Sequence, residues 1–450
     1  MILIYSPRKS SRLEYITAHI VRNIWGSDSK ITSDKELFSG YEGPSINYSN
    51  EPLNKGIRIT PKDDFLFETG IYPERTVEIG RWNELFCFFL TSDGDIPFDL
   101  FAASFYLISR YEEYFPLPKD IHGRYDPQYS LLVRNGLIET PIMDRWAWRL
   151  KEYLIKSGCP ESEFKPRSFR VINTFDIDHP FMFRNKGIAI NLLGGVKDLC
   201  GENSDQLKAR IKTVLHLRED PYFEALDRID RFQKSWDREY YLFILLGKYE
   251  ARGRRTIYPL RRFFRYLRRT DHTVIGLHPS YSGAFDEKEI LREKKRLEQL
   301  INLPVKTNRQ HYLRIRIPET CRQLIRAGFT DDFTLIHSAF PGFRAGTSIP
   351  FYFYDLDTET TTSLLMHPTA VMDTTLIGQM KLSVDEALHK IRQLADACKE
   401  VGGDFIMLWH NSNLAEISSP NPWITVFEKA SEYAFSLETG SHPEENFFSA

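Results

Sequence analysis

The sequence has little that would staple it covalently or hold it in a membrane. Its five cysteines, Cys87, Cys159, Cys200, Cys321 and Cys398, are scattered, odd in number and free of any C-x-x-C pair. That pattern argues against a disulfide framework or a cysteine-built zinc site and fits a reducing compartment. No stretch of about 20 apolar residues occurs, so no spanning helix is expected. The opening MILIY is too short for a signal-peptide core and reads as a first strand. A cytoplasmic location is the resulting expectation. An excess of one charge is also missing. Lys and Arg total 59 against 61 Asp and Glu, a formal net charge of -2, so no global field favours nucleic acid or a membrane. Internal repeats and low-complexity tracts are absent as well.

What is present suits a large globular protein. At 450 residues the chain calls for about two to three domains. Aromatic residues reach 14%, with 32 Phe and 22 Tyr; such usage fits thick cores, and also sugar-binding clefts where a ring face stacks on a pyranose. The first third opens with a strand (residues 2–5) and a helix near 11–25. Apolar residues recur at helical spacing in 98–114 and again in 143–158, and the Pro- and Gly-rich segment 115–130 reads as a long loop. A domain boundary is expected near 160–167, giving an N-terminal α/β domain over 1–165 and a second over 166–450.

In the second part apolar strands alternate with helices. The strands are RVINTFDI (170–177), EYYLFILLG (239–247), HTVIGLHPS (272–280), PVKTNRQHY (304–312), TSLLMHP (362–368) and GDFIMLWHN (403–411). Helical runs lie at 259–270, 287–302, 318–328 and 383–400. Strand then helix, repeated, predicts an α/β fold with a largely parallel sheet or a (β/α) barrel. Residues 180–237 interrupt the rhythm with mostly helical signals, either as a wall beside a site or as an embellishment without substrate contact.

Polar residues punctuate the predicted strand ends. Asp176 and Asp178 close the first, His278-Pro279-Ser280-Tyr281 the third, Arg309 and His311 the fourth, and His410-Asn411 the last. In parallel α/β folds these carboxyl ends gather on one face. Asp176 and Asp178 stand at i and i+2, so in a strand they point to the same spot. Two carboxylates aimed together need a proton or a cation to settle them. One acid plus histidines would suit a divalent cation, Zn²⁺ first, with Ni²⁺, Co²⁺ or Mn²⁺ as options. The other acid is then available as a base, and a histidine across the site as an acid.

Taken singly, each residue has a plainer reading: a helix-capping aspartate, a hydrogen-bonded core histidine, a polar strand end. His367 and Asp373 in 366–376 line the cleft or support it from the core. Arg344, in FPGFRAGTSIPFYFYD (340–355), is either an anion-orienting side chain on a substrate loop or part of a structural turn. Ser280 and Tyr281 are weaker substrate candidates. The Arg-rich run 251–269 reads as a solvated amphipathic face, with peripheral contact to an anionic membrane or glycan as the sharper option. In the first part, SRYEEY (109–114) and HGRYDP (122–127) read as either a docking or specificity surface or an internal ion-pair network.

These elements resemble the polysaccharide deacetylases of carbohydrate esterase family 4. Thr174-Phe175-Asp176-Ile177-Asp178 is similar to the family's T-F-D-D-G motif, with its acids at i, i+2 rather than adjacent. HTVIGLHPS resembles its H-E-I-G-x-H strand and FIMLWHN its terminal L-x-x-H strand, in the same order over roughly 168–450. A closer likeness is to bacterial members with an added N-terminal α/β domain, through D-I-D, L-H-P-S-Y, R-Q-H-Y-L-R and G-F-R-A-G-T. The resemblance implies a distorted (β/α) barrel and a metal-dependent deacetylase acting on an N-acetylated sugar or glycan precursor. It also implies roles: Asp176 as general base, Asp178 and His278 as metal ligands, His410 as catalytic acid, and Arg309 as a brace for the base. The family's second motif carries a further histidine four residues on, where this chain has Ser282. His311 from the next strand is the candidate replacement, and His179 faces the other way. A non-catalytic sugar binder and a hydrolase of non-sugar amides are the alternatives.

Overall fold

The computed structural model of the chain describes residues 1–184, 186–246, 261–268, 272–417 and 420–440. Four short strands form the first sheet: β1 (Ile2–Tyr5), β2 (Ser29–Thr32), β3 (Ser45–Tyr48) and β4 (Ile57–Ile59), all parallel in the order β2-β1-β3-β4. All four residues of β1 are buried, as a continuous apolar run requires when both faces of a parallel sheet are covered. A small hairpin follows, β5 (Ile79–Trp82) with β6 (Leu85–Phe88). The helix expected over 98–114 runs Leu100–Ile108 and ends in a tighter turn at Tyr111–Tyr114; the next long one is Ile142–Lys156.

The second sheet is the scaffold of the site. Its strands are β7 (Arg170–Ile177), β8 (Tyr240–Leu245), β9 (Thr273–His278), β10 (Thr307–Asn308), β11 (Asp331–Asp332), β12 (Phe351–Asp355), β13 (Thr360–Met366), β14 (Val371–Met372) and β15 (Asp404–His410). The order is β12-β13-β11-β10-β9-β8-β7-β15-β14, curled into a half-barrel. Among the described strands β12 and β14 are the edges, so the expected distorted barrel is open. Every pairing in it is parallel except β12–β13. The segment read as a substrate loop thus contributes an antiparallel edge strand. The strand expected at 304–312 shrinks to two residues, because the chain turns at His311–Leu313, where Tyr312 and Leu313 adopt φ of 58° and 54°.

Residues 180–237 hold three helices, Ile188–Cys200, Ser204–Val214 and Pro221–Ser235. The third buries Phe223, Ala225, Leu226 and Ile229 and leads into β8, so it is the crossover that any parallel β–β connection needs. Only the first two helices are additional. The basic run 251–269 falls largely outside the described residues; its described part holds the helix Arg261–Leu267, with Phe263, Phe264 and Leu267 buried. No helix among the described residues is long and apolar enough to cross a membrane.

The two sheets share one continuous core, and buried polar pairs cross between them. Arg12 meets Glu359 at 2.9 Å, Asp144 accepts from Thr347 Oγ1 and Ser348 N at 2.6 and 2.8 Å, and Arg344 grips Glu113 at 2.6 and 2.9 Å. Arg344 and Glu113 are 2% and 3% exposed, so SRYEEY contributes to an internal ion-pair network. Removing one partner of such a pair strands a charge away from water, at a cost of several kcal/mol. Arg344→Met is therefore expected to lower unfolding free energy by about 3 kcal/mol, read by urea titration; a change within error would show that the pair adds nothing.

Candidate functional site

Sheet order brings the punctuated strand ends together. β10, β9, β8, β7 and β15 are consecutive neighbours, and the register pairs His410 with Asp176 and Leu245 with His278. Asp178 lies one residue past β7, His311 in the turn after β10, and Asp373 directly after β14. The shared aim expected of Asp176 and Asp178 is seen at His278, whose Nε2 lies 3.6 Å from Asp176 Oδ2 and 3.4 Å from Asp178 Oδ1. His311 Nε2 is 3.6 Å from the same Asp178 oxygen. One donor atom each from Asp178, His278 and His311 fall within 4.8 Å of one another.

Arg309 organises one side. Its guanidinium is fully buried and donates to Asp176 Oδ1 (3.1 Å), Thr174 Oγ1 (2.7 Å), Phe333 O (3.0 Å) and Thr369 Oγ1 (3.3 Å). Its own carbonyl accepts from His278 Nδ1 at 2.7 Å. That bond puts a proton on Nδ1 and turns the Nε2 lone pair toward the acids, the usual way a ligand imidazole is oriented. His311 Nδ1 is buried without a hydrogen-bond partner, and so is Asp178 Oδ1.

The opposite side is built on Asp373. Its Oδ1 is 2.7 Å from His410 Nδ1, and its Oδ2 accepts from the His410 backbone N (2.7 Å) and from Asn413 Nδ2 (3.0 Å). His410 Nε2 then faces Asp176 Oδ2 at 4.0 Å.

Environment pushes the three imidazoles apart. Burial alone would lower His410, but Asp373, with Asp176 and Asp178 behind it, raises it to about 10. Burial, helped by the neighbouring His278, lowers His311 to about 3. His278 is raised, because Asp176 and Asp178 outweigh its burial. Asp178 is held well below the usual carboxylate range: burial opposes ionisation, yet the close approach of His278 Nε2 at 3.4 Å, with His311 and His410 near by, prevails. A neutral imidazole at His311, whose Nε2 faces Asp178, and an ionised Asp178 form a donor set that fits a divalent cation. A cation there would replace the proton that the acids otherwise draw onto His278.

Asp176, Asp178, His278, His311 and His410 line one cavity of about 340 Å³. Asp373 is behind it, holding His410. Four weaker candidates lie elsewhere. Arg344 is spent on Glu113. Ser280 donates its backbone N–H to Glu293 and accepts from Gly283 N within its own turn. His367 bonds Asp331 at 2.8 Å and stacks on Phe333 at 4.2 Å. Tyr281 is not in the cavity lining; its hydroxyl lies 3.2 Å from His122 Nδ1. His179 offers its carbonyl to Asn411, and none of the described residues of 180–237 lines the cavity.

Residues that strand-end reasoning missed come from the loop 115–130. His122 and Arg124 line the cavity beside Tyr312. Arg124 bonds the Tyr312 carbonyl at 2.7 Å and Asp120 at 2.7 Å, and Arg314 Nε bonds the His122 carbonyl at 2.9 Å. The charged and aromatic cluster HGRYDP was the available signal. A larger hollow of about 600 Å³ near Ser45, Tyr153 and Cys159 has no histidine in its lining.

Comparison with known proteins adds the following. Residues 2–158 match the model of a family of unknown function, DUF7033. No curated protein matches the chain. Among solved structures, a protein provisionally assigned as a polysaccharide deacetylase, from Mycobacterium smegmatis, is 16% identical, with 60% of this chain and 84% of that one covered and a TM-score of 0.38. PuuE allantoinase is 12% identical, covering 60% and 84%, with a TM-score of 0.36. A carbohydrate esterase family 4 pseudoenzyme from Bacillus anthracis is 12% identical, covering 61% and 68%, with a TM-score of 0.27. At these values they bear on no residue of the site.

The raised His410 pKa gives a signed prediction. Protonated His410 stabilises the fold fully below pH 6.5, and that contribution is lost as pH rises through about 10. Asp373→Asn should bring the His410 pKa down toward its ordinary value in an NMR ring titration. The stability gap between wild type and variant should be widest at low pH and close as pH passes 10. An unmoved titration would show that Asp373 does not set this group.

Proposed function

We propose that this cleft is the active site of a metal-dependent deacetylase that removes an acetyl group from an N-acetylated sugar or glycan precursor. The observation that carries the reading is the meeting of Asp178, His278 and His311 between two differently braced groups, Asp176 on Arg309 and His410 on Asp373. One carboxylate and two imidazoles are the donors a Zn²⁺ site uses when it keeps a position open, with Ni²⁺, Co²⁺ or Mn²⁺ as alternatives. A cation bound there would acidify water and polarise a carbonyl.

The chain's own groups supply the proton movements. Asp176 is pointed into the cleft by Arg309, so it can accept a proton from an attacking water. His410 stands on the other side, kept protonated by Asp373, so it can donate one to the departing amine. His122, Arg124 and Tyr312 shape the mouth of the cleft, where a pyranose ring can lie against an aromatic face. The resemblance in motif order supports a sugar amide over other amides.

The test combines metal analysis with acetate release from a panel of N-acetylated hexosamine saccharides. Wild type should hold about one zinc per chain, and Asp178→Ala or His278→Ala should lose it. Asp176→Asn should keep the metal and lose at least about a hundredfold in kcat. Metal-free wild type that still binds saccharides would replace the enzyme reading with a binding module. Hydrolysis confined to small acyl amides would remove the sugar.

A further inference from the structure

The two additional helices, Ile188–Cys200 and Ser204–Val214, form a hairpin with reversed polarity. Its polar groups are inside. Asp198, only 5% exposed at its side chain, bonds Arg210 at 2.8 Å, and Arg210 also reaches Asn191 Oδ1 at 3.2 Å. Gly194 leaves room for that guanidinium: a Cβ there would sit 2.5 Å from Arg210 Nη1. The apolar groups are outside. Ile188, Leu192, Val196 and Leu199 are 81%, 66%, 60% and 68% exposed, and steps of four, four and three put them on one face. Leu193 beside them is 73% exposed, and Leu215 and Leu217 after the second helix are 62% and 73% exposed. A water-facing helix ordinarily shows the opposite arrangement, and a bare aliphatic patch of this kind marks a surface made to be covered.

Charge selects the cover. The hairpin, residues 186–217, carries five Lys and Arg against three Asp and Glu, in a chain whose net charge is -2. Lys197, Lys208 and Lys212 are exposed around the aliphatic patch. A second copy would set these cations against their own mates. An anionic bilayer pairs them with headgroups while accepting the aliphatic face, which is how interfacial helices bind.

The stem fixes where the hairpin stands. The Asp220 carboxylate accepts from the backbone N–H groups of Met182, Phe183 and Arg184 at 2.6, 2.8 and 2.9 Å. The stem begins just after Asp178, at the sheet end that carries the cleft. We infer that this hairpin is a docking element that seats the protein on an anionic membrane surface, with the cleft on the side of the sheet from which the hairpin rises. The docking holds or fails independently of the chemistry proposed above.

The test uses the full chain and vesicles of equimolar phosphatidylcholine and phosphatidylglycerol, against phosphatidylcholine alone, at low salt. Wild type should sediment with the anionic vesicles at least about tenfold more than with the neutral ones. The variant Leu192→Ser/Leu193→Ser/Val196→Ser should fall to the neutral level. Cys200 is the exposed cysteine on the first helix, and the other four are buried. A polarity-sensitive dye placed on Cys200 should shift its emission to the blue on anionic vesicles, which requires no core substitution. Wild type left in the supernatant, or an unshifted dye, overturns the proposal. So does a wild-type dimer in ultracentrifugation that the triple variant converts to monomer without any vesicle binding.

Discussion

Everything at the site leans on the burial of Arg309. A guanidinium with no exposure is costly unless its donors are met and a counter-charge stands close. Here the guanidinium has four acceptors, two hydroxyls, one carbonyl and the Asp176 carboxylate. Thr174 comes from β7, Phe333 from just after β11 and Thr369 from just before β14, so satisfying this one side chain ties separate parts of the sheet together at one end. The residue's backbone does a second task, since its carbonyl fixes the tautomer of His278. One residue thus orients both the candidate base and a candidate ligand, and Arg309→Lys, with fewer donors and no planar fork, cannot reproduce the set.

The N-terminal part of the chain takes part in the site. The loop 115–130 is held at the cleft mouth by Arg314, Arg316 and the Tyr312 carbonyl. Tyr312 itself sits in a left-handed conformation, which a non-glycine residue adopts at some cost and mainly where function or packing demands it. Its ring is brought within 5.0 Å of His122 and 4.5 Å of His311. The region matching a family of unknown function therefore furnishes one wall of the cleft in this chain.

How much of this was legible follows from the range of each interaction. Asp176, Asp178, His278 and His410 could be singled out because each closes an apolar run, and in a parallel sheet such endings converge on one side. His311 was within reach for the same reason, although its strand is only two residues long. Sequence leaves Arg344 open between a substrate loop and a structural turn because its partner, Glu113, is 231 positions away, and nothing local announces a buried acid. His367 stays open between cleft and core in the sequence for want of its neighbours Phe333 and Asp331. The antiparallel β12 was hidden by a Gly- and Pro-punctuated approach that reads as loop. His122 and Arg124 are visible as a cluster, but their place at the cleft depends on bonds to Tyr312, Arg314 and Arg316, nearly two hundred positions away.

The last step concerns how one residue type serves two purposes a few ångströms apart. His311 and His410 have the same ordinary pKa, yet one is pushed down to about 3 and the other up to about 10. Burial works against the charge in both. The difference is the second partner. His410 has Asp373 bonded to its Nδ1, whereas the Nδ1 of His311 has none and its ring lies 4.9 Å from His278. A neutral imidazole can give a lone pair to a cation; a protonated one repels a cation and can give up a proton. Exchanging these surroundings would exchange the functions. The separation of candidate ligand from candidate acid therefore rests on Asp373 and on the empty side of His311, not on the histidines themselves.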